Sequence, residues 1–344
     1  PRTRARRAKS RLPGAAALLW PAALTLLLLS ACASAGGKKE AAPAGAQADS
    51  SRPLVHIAWR PSVDSDTYRG VLLALEKAGA QFSMLPQVRS FDVNYDKQGM
   101  IKPDCLTEKG MLTLDCAQKI RKKGRTRSNL AEIVAQHKIQ ALVFTGGGDI
   151  SPSLYQPPES EQNAGEAFEP ERDVSDFLLM QYCLDHNIPV LAICRGMQMM
   201  ALVCGGRMIQ DFSLYFQQQG LVYDNLHREP PSESQDFAVH DVTLTPGDTI
   251  FRRLVGADKL CRVPSWHHQG VLMTDSDSFV TSGYTITCGI PVVEAMEIPG
   301  KDFALGLQFH GEMVISGNPE GKEKDFFDYD TALGFFAALA RYAE

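Results

Sequence analysis

Alternating apolar strands and amphipathic helices predict an α/β fold, with a mostly parallel sheet covered by helices on both faces. Two observations carry this expectation. Short apolar runs recur between segments of helical periodicity, and strands apolar on both sides need cover on both faces. No internal repeat interrupts the pattern, so residues 54–344 read as a single domain. With 44% hydrophobic and 22% charged residues, the composition is that of a soluble globular protein with a sizeable core.

The elements follow in order. Leu54–Trp59 is an apolar run ended by Pro61 and reads as a buried first strand. From Ser65 to Ala78 apolar residues recur at helical spacing, and Gly79 stops the helix. Gln81–Leu85 is a second strand, ended by Pro86. Residues 87–127 are polar and interrupted and read as a surface insertion. Ser128–His137 is a helix with Ser128 as its cap, and Gln140–Thr145 a strand running into Gly146-Gly147-Gly148-Asp149. Asp173–His186 is helical, Pro189–Ile193 a strand, and Gly196–Val203 a helix closed by Gly205-Gly206. Ala238–Leu244, Val292–Ile298 and Phe303–Phe309 are later strands, with Pro299-Gly300 turning between the last two. Asp325–Tyr342 forms an amphipathic helix with Phe326, Leu333, Phe336 and Leu339 on its apolar side.

Residues 1–32 have a different character. A basic region from Arg2 to Arg11 precedes an apolar stretch, Ala15–Leu29, and then Leu29-Ser30-Ala31-Cys32. Basic head, apolar middle and small residues before a cut site make a secretory signal. A spanning helix is the alternative, but the stretch is short of the ~20 apolar residues needed and holds Pro21. The last four residues resemble the lipobox of bacterial lipoproteins. That resemblance implies cleavage before Cys32, lipid attached to its sulfur, and a chain anchored in the bilayer of the cell envelope. Residues 33–53, rich in Ala, Gly, Ser and Pro, read as a tether.

A net charge of −5 gives no support to a nucleic-acid partner. The basic run from Lys119 to Arg127 reads as a solvated face, with contact to an anionic membrane surface as the alternative. Of eight cysteines, Cys32 leaves seven, an odd number that outside the cytoplasm suggests a reactive thiol or an intermolecular pair. Cys105 and Cys116, in the polar segment, are the pair best placed for a disulfide. Cys183, Cys204, Cys261 and Cys288 lie in apolar contexts and read as buried thiols.

Cys194 stands apart. In Leu191-Ala192-Ile193-Cys194-Arg195-Gly196 an apolar strand ends in a nucleophile and a helix starts at once. Small residues at Ala192 and Gly196 allow a tight nucleophile elbow. The positive end of the helix dipole favours negative charge on the sulfur, and the Arg195 amide points at an oxyanion on an attacked carbonyl. An isolated apolar cysteine is normally just buried; the elbow distinguishes this one. A base and its orienting group are offered by His310 and Glu312, at the end of another strand. In open parallel sheets such residues gather at the carboxyl ends of neighbouring strands. Gly146 and Gly147 would let a backbone amide approach the same oxyanion. No Lys-Ser or Lys-Thr follows them, which argues against a phosphate loop. His267 and His268 invite a metal, but adjacent residues rarely chelate together and no H-E-x-x-H or C-x-x-C partner exists. No metal and no cofactor are therefore expected, and substrate contact or loop hydrogen bonding fits better.

Together these segments resemble the class I glutamine amidotransferase-like superfamily, and within it the γ-glutamyl-γ-aminobutyrate hydrolase family. The resemblance spans most of residues 54–343. It rests on Thr145-Gly-Gly-Gly-Asp149, Ser151-Pro-Ser-Leu-Tyr155, Glu171-Arg-Asp173, Pro189 to Gln198, Gly205-Gly206, Gln210-Asp211, His227-Arg228, Ser265-Trp-His-His-Gln269 and Gln308-Phe-His-Gly-Glu312. It implies a flavodoxin-like three-layer sandwich and hydrolysis of a small γ-glutamyl substrate through a thioester. Cys194 would be nucleophile, His310 base and acid, Glu312 its partner. Gly146 or Gly147 with Arg195 would hold the oxyanion, and Gln198, His267 and Gln269 would contact the glutamyl amine and carboxylate. Relatives often form dimers, so the resemblance leaves a homodimer open. Two positions depart from the family pattern. Ala192 replaces a glycine, and Gly311 replaces the proline of His-Pro-Glu, which loosens the link between base and orienter. Two other functions compete: a glutaminase subunit donating ammonia to a synthetase, and a non-catalytic envelope binding lipoprotein. The first needs ATP and an acceptor domain, for which no motif is read, and the intact triad argues against the second.

Overall fold

The computed structural model describes residues 51–122, 126–155, 168–228, 237–274, 277–317 and 326–344. The signal-like segment, Cys32 and nearly all of the tether lie outside the described residues. In chain order the elements are β1 Leu54–Ile57, α1 Asp66–Lys77, β2 Gln81–Met84, α2 Leu114–Ile120, α3 Leu130–His137, β3 Leu142–Phe144, α4 Pro170–Asp185 and β4 Val190–Ile193. They continue with α5 Arg195–Val203, β5 Met208–Ile209, α6 Phe212–Gln218, β6 Ala238–Leu244, α7 Ile250–Val255, β7 Lys259–Ser265, β8 Gly270–Leu272, β9 Val280–Thr287 and β10 Ile290–Glu297. β11 Ala304–Leu307, α8 Gly311–Ser316 and α9 Tyr329–Arg341 complete the set.

One mixed sheet runs β2-β1-β3-β4-β11-β10-β9-β6-β7. From β2 to β11 every neighbouring pair is parallel, and from β11 onward every pair is antiparallel. The short β5 and β8 pair with each other, and β8 joins β10. The parallel half is what the alternation of strands and helices predicts. The antiparallel half comes from β6 to β10, where antiparallel neighbours need no crossover helix and β9 and β10 are joined by a two-residue turn.

Both faces of the parallel half are apolar at period two. Leu142 and Phe144 of β3, with Val190 and Ala192 of β4, join one core, over which α4 and α5 pack. Val143, Leu191 and Ile193 join the other, with residues of α1, α7, α8 and α9. These are three layers, helices over both faces of a sheet. Ser65 caps α1 by accepting the Tyr68 amide.

Several local expectations shift. Asn129, rather than Ser128, is the N-cap of α3, and Ser128 instead pairs with Ser90 in an isolated bridge. α9 starts at Tyr329, and the aromatic residue buried ahead of it is Phe327, with Phe326 half-buried. Residues 87–127 are not merely a surface excursion: Val88, Val93, Ile101, Leu112, Ala117 and Ile120 are buried in the core that α4 covers. Polar spacers between these residues hide the periodicity. Cys105 and Cys116 form a disulfide within this segment. Cys183 is a buried thiol as expected, but Cys261 is exposed and Cys204 and Cys288 half-buried. Cys261 lies on β7, which borders the sheet on one side only.

Candidate active site

β3, β4 and β11 are consecutive in the sheet and parallel, so their carboxyl ends open on one side together. β3 delivers Gly146 and Gly147, β4 delivers Cys194 and β11 delivers His310. Three segments far apart in sequence thereby meet at one edge.

Cys194 is the N-cap of α5 and sits at φ 51°, ψ −107°. A residue with a Cβ avoids this region, and holding one there costs ~1–3 kcal/mol. Its neighbours enforce it: the Cys194 amide donates to the Leu307 carbonyl (2.7 Å), and the Cys194 carbonyl accepts from the Gln198 amide (3.1 Å). Gly196 is required for a close approach, since a Cβ there would stand 2.5 Å from the Phe144 carbonyl oxygen. The helix can therefore begin directly against β3. The Arg195 amide is in the first turn of α5, where N–H groups have no acceptor within the helix.

His310 is buried, and its Nδ1 lies 2.7 Å from Oε1 of the fully buried Glu312. The Cys194 side chain lies beside the same ring, for both would come within 4 Å of a Cβ placed on Gly146. Burial alone would lower the His310 pKa. The Glu312 carboxylate, followed by the sulfur of Cys194, outweighs it and raises the value to about 10. Gly311, in place of proline, leaves the His310–Glu312 bond short.

Gly146 backs the imidazole, for a Cβ on it would lie 2.9 Å from His310 Cε1 and 3.6 Å from Cys194 Cβ. At Gly147 a Cβ would collide with the Arg172 guanidinium. Arg172 is fully buried and donates to the carbonyls of Thr145 (2.7 Å) and Gly146 (3.1 Å), and to Glu169 and Asp176. Arg195 turns its side chain away from the site, pairing with Asp173 and Asp176 at 2.5 Å each. Its contribution at the opening is its backbone. The two arginines and their carboxylates fix the glycine loop from below. Arg172 appeared in the sequence only as the middle of Glu171-Arg-Asp173, and nothing local marked it as the holder of that loop.

A cavity of about 220 Å³ opens over Cys194 and His310, with Gly147, Gly148, Asp149, Gln198, Arg228, Trp266, His267 and Gln269 in its wall. The three residues assigned to substrate contact thus border the nucleophile. They also hold one another: Gln198 Nε2 donates to the Gln269 carbonyl (3.3 Å), which also meets His267 Nδ1 (2.8 Å). Gln269 Nε2 donates to the Gln210 carbonyl (3.0 Å). Charged groups in the wall that sequence reasoning did not assign are Arg60, Asp149 and Arg228. Asp149 is buried and its Oδ1 faces His268 Nε2 at 3.1 Å; Arg228 lies 4.8 Å over the Trp266 ring. Asp149 ends the glycine run, the one signal that pointed to it. A larger cavity of about 590 Å³, between Tyr155, Arg207 and Tyr215, contains neither Cys194 nor His310. Size does not mark the reaction site here.

A family model described as Peptidase C26 matches residues 124–312, more than half of the chain. Protein NtpR of Enterococcus hirae is 32% identical over 193 residues, 56% of this chain and 74% of NtpR. Gamma-glutamyl-gamma-aminobutyrate hydrolase PuuD of Escherichia coli K12 is 29% identical over 178 residues, 51% of this chain and 65% of PuuD. The match therefore spans less than two thirds of PuuD. Among solved structures, the glutaminase domain of Trypanosoma brucei CTPS with bound acivicin superposes with a TM-score of 0.44 at 15% identity, over 84% of this chain and 94% of that one. The chain belongs to the peptidase C26 family.

Proposed function

We propose that this protein hydrolyses a γ-glutamyl amide through a γ-glutamyl thioester on Cys194. The observation that carries the reading is a strained, buried cysteine sharing one cavity with a buried histidine, whose ring a buried glutamate holds at 2.7 Å. The name of the relative PuuD, a gamma-glutamyl-gamma-aminobutyrate hydrolase, supports the same substrate class.

The reaction begins with the Cys194 sulfur as thiolate and His310 as imidazolium. Sulfur attacks the γ-carbonyl carbon, a C–S bond forms, and the carbonyl oxygen takes the negative charge. Amides of Arg195 and of Gly147 or Gly146 donate to it; each such donor contributes ~10²–10³ in rate. Collapse breaks the C–N bond, and the amine leaves with the proton from His310. A water then gives a proton to His310 and attacks the thioester carbon, releasing glutamate and returning sulfur to thiolate. Glu312 keeps the ring oriented and favours its cation throughout. At the amino-acid end, Asp149 would pair with the α-ammonium and Arg228 with the α-carboxylate. Gln198, His267 and Gln269 would form the wall behind them.

Mass spectrometry after incubation with a γ-glutamyl electrophile tests the reading. The expected adduct is on the peptide containing Cys194, and Cys194→Ala should turn over γ-glutamyl-anilide at background rate with its fold intact. Wild-type turnover in that variant would end the assignment.

A further inference from the structure

We propose that His227, His240, His267 and Glu294 form a binding site for one zinc-type divalent cation, placed behind the wall of the reaction cavity. Four side chains from separate segments converge there: His240 from β6, Glu294 from β10, His227 from the segment after α6, and His267 from the β7–β8 connection. One ligand atom of each lies within 4.8 Å of all the others, and all four residues are buried. The closer spacings are His227 Nδ1 to His240 Nε2 at 3.2 Å and to Glu294 Oε1 at 3.2 Å. Glu294 Oε2 lies 3.8 Å from His240 Nε2, and Oε1 lies 3.9 Å from His267 Nε2. Tetrahedral zinc with bonds of ~2.0–2.1 Å sets its ligand atoms roughly 3.4 Å apart. Small side-chain adjustments close the remainder.

Hydrogen bonding gives a second, independent reason. Both oxygens of Glu294 and Nε2 of His267 are buried with no hydrogen-bond partner among the described residues. The outer ring nitrogens are engaged, and on the inner side His240 Nε2 meets the Ser265 hydroxyl at 2.7 Å and His227 Nδ1 at 3.2 Å, contacts that a cation would displace. His267 Nδ1 donates to the Gln269 carbonyl (2.8 Å), so its lone pair is on Nε2, the atom that faces Glu294. His240 Nδ1 lies 3.4 Å from the Asp241 carbonyl, and His227 Nε2 lies 2.6 Å from the Thr287 hydroxyl. Outer partners of this kind fix the tautomer of metal-binding histidines. Phe212 packs at a tilt against His227 (5.0 Å between ring centres) and edge-on against His267 (5.7 Å). Three imidazole nitrogens and one carboxylate suit zinc; magnesium and calcium favour oxygen ligands. The sequence concealed this set because only His267 belongs to the adjacent pair that suggested a metal, and its partners are at 227, 240 and 294.

The rival is a proton shared with Glu294 in place of a cation. Elemental analysis of full-length protein, dialysed against Zn²⁺ and desalted, separates the two. We expect one zinc per chain, retained in Cys194→Ala and weakened by about tenfold or more in Glu294→Gln. If Glu294→Gln does not fold, Co²⁺ in the wild-type protein decides. Tetrahedral ligand-field absorption without thiolate charge transfer supports the site. Zinc well below stoichiometry, unchanged affinity in folded Glu294→Gln, or a thiolate band from Cys194, Cys261 or another free cysteine overturns it.

Discussion

Cys194 pays for its position in backbone strain, and the surrounding residues explain how that strain is held. Leu307 fixes its amide, Gly196 lets α5 press on β3, and the ion pairs of Arg195 hold the first turn. A left-handed cysteine is thus imposed by tertiary contacts rather than by local preference. The same economy of parts applies to His310, whose proton is kept by Glu312 and by the sulfur. The linkage has a definite sign. A histidine raised from 6.5 to about 10 contributes stability that is full below pH 6.5 and lost as pH rises through about 10. Glu312→Gln removes the largest influence raising that pKa. The alkaline limb of kcat should move to lower pH, and kcat should fall by about 10²-fold or more, measured as a pH–rate profile against wild type. An unmoved alkaline limb would show that the carboxylate does not act through the ring. At this scale the grouping of Cys194, His310 and Glu312 was legible in the sequence, because strand–Cys–Arg–Gly and Phe–His–Gly–Glu are local patterns. Asp149, Arg228 and the support by Arg172 were not, since their meaning lies in contacts with residues distant in sequence, 26 positions for Arg172 on Gly146 and 119 for His268 on Asp149.

Among the elements, the strands of the parallel half were readable, and in the antiparallel half β6 and β10 were, while β7, β8 and β9 were not. β1, β3 and β4 are apolar on both sides, which makes them conspicuous as runs. β7 and β9 mix buried with exposed residues without strict alternation and carry Thr, Ser and Arg, so their composition resembles loops. Residues 87–127 illustrate the same limit. Their buried side chains are held by single polar contacts from the main domain: Glu171 accepts the Ile101 amide, Ser151 the Leu112 amide and Ser175 the Val88 amide. Glu171 and Ser151 belong to the motifs that flank the site, so this segment is tied to the helix and turn that position the glycine loop. The Cys105–Cys116 disulfide, separated by 11 residues, adds a covalent constraint there. Chain entropy assigns such a loop about 3 kcal/mol. A Cys105→Ser, Cys116→Ser double variant should lose about 2–3 kcal/mol in equilibrium denaturation, with kcat on γ-glutamyl-anilide changed far less. No loss of stability would mean that the reduced segment holds its shape by packing alone.

For the molecule as a whole, the open question is where it works, and two unrelated features bear on it. One is the leader, a basic head and apolar stretch ending in Leu29-Ser30-Ala31-Cys32. The other is a disulfide in a chain that also keeps a cysteine at its reaction centre. Disulfides persist mainly in oxidising compartments, so the second feature supports export without reference to the first. We therefore propose that the protein is exported and held at the envelope membrane by acyl chains on Cys32. Anchoring follows from arithmetic: each buried CH₂ contributes about 0.8 kcal/mol, one chain binds reversibly, and two or more hold stably. Cells expressing the full chain should incorporate labelled palmitate into it, and Cys32→Ser should abolish the label and release the protein from washed membranes. Globomycin should accumulate a larger, unprocessed form of the wild type. Label that survives Cys32→Ser would place the lipid elsewhere, and an enzyme recovered unlabelled from the cytoplasm would remove the export reading while leaving the chemistry of Cys194 untouched.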